Sequence, residues 1–408
     1  MKFLYNFFIL VYYLSIKIAS LFNAKAKLWV LGRKNIFEHL QSTFKDASSE
    51  IIWFHCASLG EFEQARPIIE SIRKHETKYK ILLTFFSPSG YEIRKNYAQA
   101  DYIYYLPIDT IGNARKWIEI IKPSKVFFVK YEFWFNYLNE LKRKEIPTYL
   151  VSGIFRDDHY FFKWYGGWFV KQLSCFTHFY LQDEKSISLL KSKGITNTTL
   201  AGDTRFDRVN DIANSIKTFP IVEQFKKNTP VLIMGSSWKE DETVISEINL
   251  NEYKVILAPH EIDESHIQSI IQLFSKRKIL RYSQANSDNV SEANMLIIDN
   301  IGMLSSLYQY GAIAYIGGGF GKGIHNILEA ATFGLPVLFG PNYNKFNEAK
   351  ELIQLGGGFT FSNTLELEKT MKLLHDKIIL QKASQIAKNY VQGRIGATEI
   401  ILRQEKLI

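Results

Sequence analysis

The chain has 408 residues, 46% hydrophobic and 22% charged, which is too long for one compact core and predicts two domains of similar size. A formal net charge of +9 suits an anionic partner, whether a phospholipid surface, a phosphorylated glycolipid, a nucleotide or a nucleic acid, and does not choose among them. The 2 cysteines, Cys56 and Cys175, stand far apart in apolar runs, which argues against a disulfide framework or a thiolate metal site and fits a reducing compartment.

Residues 1–22 are almost wholly apolar and aromatic, broken by Asn6, Lys17 and a few small polar residues. A spanning helix needs roughly 20 apolar residues, and residues 3–16 fall short unless Lys17 snorkels and the stretch extends to Phe22, so spanning and lying in the interface both stay open. Lys25, Lys27, Arg33 and Lys34 follow the segment and only Lys2 precedes it, a bias that leaves the bulk of the chain on the cytoplasmic side. A cleaved signal peptide would use the small-x-small triplet Ala24-Lys25-Ala26, but the basic cluster downstream opposes translocation.

From residue 51 onward, short β-rich runs alternate with helical patterns: IIWFH before 62–75, KILLTFF before 90–97, YIYYL before 111–121, KVFFVK before 134–144, TYLVS before 160–173 and HFYLQ before 184–193. Such a string predicts a parallel, doubly wound α/β sheet. The runs VLIMG, KVILAP, KILRY, MLIID, AIAYIGG and PVLFG then repeat the plan after a polar, Lys-rich stretch ending at Pro230. The expected organisation is an anchor and basic flank at 1–35, a first Rossmann-like domain at 36–215, a second at 216–390, and a helical segment at 391–408 placed to cross back onto the first. Parallel sheets of this kind bind ligands outside the carboxyl ends of their strands, so two of them would present two substrates to one cleft.

Three constellations carry candidate chemistry. In His55-Cys56-Ala57-Ser58-Leu59-Gly60-Glu61 a strand gives way to a helix near Phe62, and a glutamate beside unpaired backbone N–H groups stays ionised and can accept a hydroxyl proton; it also simply complements the helix dipole. In residues 314–331 a strand runs into Gly317-Gly318-Gly319-Phe320-Gly321-Lys322-Gly323, with a helix expected near Asn326. Glycines admit a phosphate to the backbone and Lys322 adds charge, while Glu329, three residues after Asn326, fits either a capping box or a ribose ligand. In residues 234–242, Ser236 and Ser237 close a strand before an acidic helix start, as donor ligands or as plain N-caps.

Other chemistries lose ground. The glycine loop matches neither the P-loop nor the dinucleotide G-x-G-x-x-G spacing, His260-Glu261 with His266 is wrongly spaced for a helical zinc motif, and no nucleophile elbow or nucleic-acid module is present. No metal, cofactor or nucleic-acid partner is expected.

Taken in order, HCASLGEFEQARPII, YEFWFNYL, AGDTRFD, GSSWKEDE, APHEID, GGGFGKGIHNILEAATFGLPVLFGP and NYNKFNEA resemble the motif series of the 3-deoxy-D-manno-octulosonic acid (Kdo) transferases of lipid A assembly, over about residues 50 to 360. The resemblance implies a GT-B glycosyltransferase, two Rossmann-like domains facing a central cleft behind an N-terminal apolar anchor helix. It implies CMP-Kdo as donor on the second domain and a lipid A precursor as acceptor on the first, in lipopolysaccharide core biosynthesis at the cytoplasmic face of an anionic inner membrane. By the same match Glu61 is the general base, Ser58 and Gly60 shape its turn, and Glu132 is a second carboxylate near the reacting centre. Ser236, Ser237, His260, Gly321, Lys322, Gly323, Asn326 and Glu329 become donor-site candidates, and the reaction a single displacement with inversion. Residues 152–160 and 298–308 depart from the family's usual runs. The competing readings are a GT-B transferase or sugar-nucleotide epimerase with a UDP-linked donor, and a non-catalytic membrane protein that binds glycolipid.

Overall fold

The computed structural model describes residues 1–45, 49–76 and 78–408. The chain divides into two units, Met1–Arg208 together with Gly396–Ile408, and Val209–Ile395. The first holds β1 Ile51–Cys56, β2 Lys80–Phe85, β3 Tyr102–Tyr105, β4 Lys125–Val129, β5 Thr148–Gly153, β6 His178–Leu181 and β7 Thr198–Leu200. The second holds β8 Val231–Ser237, β9 Lys254–Pro259, β10 Ile279–Arg281, β11 Met295–Ile297, β12 Ile313–Ile316, β13 Val337–Phe339 and β14 Gly358–Thr360.

Each unit is built on a seven-stranded sheet, ordered β3-β2-β1-β4-β5-β6-β7 in the first and β10-β11-β9-β8-β12-β13-β14 in the second. All the strand pairs described are parallel. Parallel strands are covered on both faces, so they read as continuous apolar runs, and all six residues of β1 are buried. In both sheets the winding direction reverses once, between β1 and β4 and between β8 and β12. Doubly wound sheets open a crevice at that switch, outside the carboxyl ends of the two strands.

The strands β7 and β14 have no counterpart among the predicted runs. Each is a three-residue edge strand, Thr198–Leu200 and Gly358–Thr360, too short and too exposed to carry an apolar run.

Residues after Gly396 belong to the first unit, where Asp207 caps helix Ala397–Gln404 by accepting from the N–H groups of Gly396 (2.6 Å) and Thr398 (2.7 Å). Ile401, Leu402 and Leu407 enter that unit's core, and Glu405 accepts from Tyr180 Oη (2.6 Å) and Lys125 Nζ (2.9 Å).

Helix Lys2–Ala19 is long and apolar enough to cross a membrane by length and composition. Yet one stripe of it is fastened to the first unit. Tyr5 Oη donates to Asp109 at 2.5 Å, Asn6 accepts from Asn136 at 2.9 Å, and Ile9, Tyr13 and Ile16 pack with Trp29 and Ile108. The rest of its surface, Phe3, Leu4, Phe7, Phe8, Leu10, Val11, Leu14 and Ile18, is exposed. Of the basic residues that follow, Arg33 is half-buried: its guanidinium lies 3.7 Å from the Trp29 ring centroid and donates to the carbonyls of Phe86 (2.7 Å), Leu106 (2.8 Å) and Trp29 (3.0 Å).

Asp109 is wholly buried, and that burial raises its pKa to about 6 against the opposing hydrogen bonds from Tyr5 and the amides of Asn136 and Tyr137. The folded state therefore holds a proton that the unfolded chain has released between about pH 4 and 6, so this group's contribution to stability falls as pH rises through that window. Urea midpoints of wild type and Asp109→Asn measured from pH 4 to 7 are expected to differ by an amount that changes mainly below about pH 6, then levels off. Parallel curves would contradict the assignment.

Candidate functional site

At the switch point of the first sheet, β1 ends at Cys56 and Ser58 turns extended (φ −144°, ψ −173°) to cap helix Leu59–His75. Its hydroxyl accepts from Gly60 N at 3.3 Å and donates to Glu61 Oε2 at 2.5 Å, and Ser58 N donates to the same oxygen at 3.1 Å. This is a complete capping box, so the helix-end reading of Glu61 is realised in the geometry. It uses one carboxylate oxygen only. Oε1 of the half-buried Glu61 has no hydrogen-bond partner among the described residues, which leaves a fixed acceptor at the mouth of β1.

The neighbouring strand supplies the second carboxylate. After β4 the chain takes a left-handed turn at Lys130 (φ 63°) and brings Glu132 beside the end of β1. Glu132 Oε2 accepts from Trp134 Nε1 at 2.5 Å and faces His55 Nε2 at 3.1 Å. His55, fully buried on β1, meets Thr84 Oγ1 of β2 through Nδ1 at 2.9 Å, and that oxygen also accepts from Trp53 Nε1 at 2.8 Å. A chain of side chains from β1, β2 and the loop after β4 thus fixes the rotamer of Glu132. Burial first, then the fields of Glu61, Glu132 and Glu63, pushes the Cys56 thiol well above its ordinary pKa, so it remains an inert thiol.

In the second unit, β8 ends with a register shift against β9 at Gly235/Ser237, and Ser236 sits in the left-handed region (φ 53°). Such strain in a non-glycine residue clusters at functional positions. The two serines part company here. Ser237 is fully buried and donates to Glu242 at 2.8 Å, which in turn meets His266 Nε2 at 2.9 Å, so Ser237 supports the turn from behind. The half-buried Ser236 hydroxyl has no partner among the described residues.

The glycine loop after β12 is tethered by Asp241, whose carboxylate accepts from the amides of Gly318 (2.8 Å) and Trp238 (2.9 Å) and from Tyr315 Oη. A Cβ on Gly317 would lie 2.1 Å from Ser236 O, so only glycine lets the two strand-end loops approach this closely. The amides of Gly321 and Gly323, candidates for a phosphate, are occupied: both donate to Gly318 O, at 3.0 and 3.1 Å. Those of Gly319, Phe320, Lys322 and Ile324 have no intramolecular acceptor among the described residues. The open amides of the loop are therefore those of residues other than Gly321 and Gly323. The helix expected from Asn326 is the single turn Leu328–Ala331, too short for a useful dipole, and Asn326 accepts from Leu328 N (3.1 Å) while donating to Glu329 (3.2 Å). Lys322 is exposed.

His260 follows β9 and donates its amide to Ser237 O at 2.9 Å. Its ring stacks on Trp238 (centroids 4.4 Å apart) and on His325 (4.5 Å). Trp238, Asp241, His325, His55 and Trp134 all lie inside the motifs read from the sequence, but the pairings of Trp238 with His325, Asp241 with Gly318 and His55 with Glu132 join residues remote in the chain and carry no local signal.

Comparison with known proteins agrees with this architecture. Residues 34–208 match the family model described as 3-Deoxy-D-manno-octulosonic-acid transferase (kdotransferase). A 3-deoxy-D-manno-octulosonic acid transferase of Aquifex aeolicus is 28% identical over 320 residues, covering 78% of this chain and 83% of its own. One of Rickettsia bellii is 27% identical over 368 residues, covering 88% and 85%. Among solved structures, the UDP-GlcNAc 2-epimerase of Neisseria meningitidis bound to UDP-GlcNAc superposes with a TM-score of 0.61 at 17% identity, covering 88% of this chain and 99% of its own, a likeness of fold.

The class that the fold and these matches define is a glycosyltransferase of GT-B architecture. Within that class the chain resembles the Kdo transferases, through the family match across the first unit and through relatives aligned along most of its length.

Proposed function

We propose that this glycosyltransferase moves Kdo from CMP-Kdo to a hydroxyl of a lipid A precursor by single displacement with inversion. The observation that carries the reading is Glu61, anchored through one oxygen with the other unpartnered at the switch point of the first sheet. In the proposed step the acceptor oxygen attacks the anomeric carbon as its proton passes to Glu61 Oε1. The bond from that carbon to the phosphate oxygen breaks, and CMP leaves with the electron pair. Glu132, held by His55 and Trp134, orients the acceptor. On the donor side, the open amides of Gly319, Phe320, Lys322 and Ile324, the Ser236 hydroxyl and the Lys322 ammonium stabilise the charge growing on the leaving phosphate, while Gly321, Gly323, Asn326 and Glu329 shape the loop. Ligand-induced thermal shifts test the donor: CMP is expected to raise the midpoint and UDP to leave it unchanged, and the reverse order would favour a UDP-sugar transferase or epimerase.

The N-terminal helix, about 27 Å long, is docked along its length from Tyr5 to Ile16. Crossing the bilayer would drag the buried polar pair Asp109 and Asn136 into hydrocarbon, so the helix lies in the interface with its exposed rings among lipid chains. Exposed Lys25, Lys27 and Lys34 then face anionic headgroups. Replacing Phe3, Phe7 and Phe8 together by Ser removes roughly 1.5–3 kcal/mol of apolar transfer per ring. Sedimentation with anionic vesicles is expected to fall about a thousandfold or more in partition coefficient, with the unfolding midpoint unchanged. Undiminished binding would remove the helix from the membrane contact.

A further inference from the structure

We propose that Trp238, His260 and His325 act as one device that presents the Nδ1–H of a neutral His325 as a hydrogen-bond donor to the anionic phosphate or carboxylate of the sugar nucleotide. The proposal rests on the donor-side reading given above and adds residues that it did not use.

The indole of Trp238 has a hydrogen-bond donor and no acceptor. Trp238 Nε1 lies 3.1 Å from His325 Nε2, so that ring nitrogen must accept and carries no proton. The proton of the neutral imidazole is therefore on Nδ1, on the far side of the ring from the indole. The two rings are nearly coplanar, 12° apart with centroids 6.5 Å from each other, as an edge-to-edge hydrogen bond requires. His260 lies flat over the joint, 4.4 Å from Trp238 and 4.5 Å from His325, both at 27°. This cover shields the bond from water and so strengthens it.

The backbone places the device where the anion is expected. His325 N donates to Gly317 O at 3.1 Å, which ties the residue to the end of β12, and a Cβ on Gly318 would lie 3.2 Å from its Cδ2. The unpaired amides of Gly319, Phe320, Lys322 and Ile324 belong to the same loop, and Nδ1 itself has no partner among the described residues. Burial, with a smaller push from His260, lowers the His325 pKa to about 4, so the ring stays a neutral donor of fixed tautomer at neutral pH. A neutral donor grips the bound anion without forming an ion pair that would hold the product nucleotide after transfer.

Two measurements on the full-length protein in detergent test this. Long-range proton–nitrogen spectra of histidine-labelled protein are expected to show His325 as the Nδ1–H tautomer, and CMP to shift that nitrogen. In CMP titrations, His325→Phe is expected to weaken binding about ten- to a hundredfold, the value of a lost hydrogen bond to a charged group. His325→Asn, whose amide falls near Nδ1, should recover much of that loss, and His325→Gln, whose amide falls near Nε2, should not. An Nε2–H tautomer, or equal losses in the Asn and Gln variants, would overturn the proposal. A fixed Nδ1–H tautomer whose nitrogen responds to UDP and not to CMP would keep the device and reject the cytidylate donor.

Discussion

Glu61→Gln is expected to lower turnover by about a hundred- to ten-thousandfold while leaving CMP affinity within about twofold of wild type. A Gln at this position retains an oxygen to accept from Ser58 N and Ser58 Oγ, so the capping box survives and the helix Leu59–His75 should fold unchanged. What is lost is the capacity of the second oxygen to take a proton. Glu61→Ala removes both functions, and should add about 1 kcal/mol of destabilisation to the same loss of rate. The comparison separates the two roles the residue plays: a Gln variant with near-normal turnover would leave Glu61 as a cap alone.

Asp241→Ala is expected to produce the largest loss of stability among single changes at the donor site, about 3–5 kcal/mol, because it strands three donors at once. Gly318 N, Trp238 N and Tyr315 Oη all end on this carboxylate, and Asp241 and Tyr315 are each 1% exposed. Loss of the tether also frees the glycine loop from the end of β8, so CMP affinity should fall by about tenfold or more. Hydrogen exchange at Gly318 and Trp238, with CMP titration in parallel, checks both effects. Slow exchange at those amides in the variant would show that the loop is held by other contacts.

The parts of the fold that were legible in the sequence are those whose physics is local. Parallel strands buried on both faces announce themselves as apolar runs, and IIWFH and VLIMG lie within β1 and β8, which extend past them to Cys56 and Ser237. The edge strands β7 and β14 have three residues each and were not legible. The glycine loop could be found from its composition, but which of its amides remain open could not, since Gly321 and Gly323 turn inward to Gly318 O only in the folded loop. Ser58 and Glu61 are three residues apart and fit a capping pattern; Asp241 and Gly318 are 77 apart, His55 and Glu132 likewise 77, and Trp238 and His325 are 87. Those long pairings orient the site's groups, and they arise from the order of strands in the sheet. The helix near Asn326 was expected from a capping spacing, yet four residues of helix are all that the turn into β13 allows.

Whether the protein transfers Kdo to lipid is read by mass spectrometry of the lipids recovered after the 408-residue chain, in mixed micelles, is incubated with CMP-Kdo and a tetra-acylated lipid A precursor. The expected product is a lipid heavier by one or more Kdo residues, formed with one CMP per Kdo transferred and reduced about a hundredfold or more with Glu61→Gln. Donor consumption with unmodified lipid, or equal product from wild type and Glu61→Gln, would contradict it.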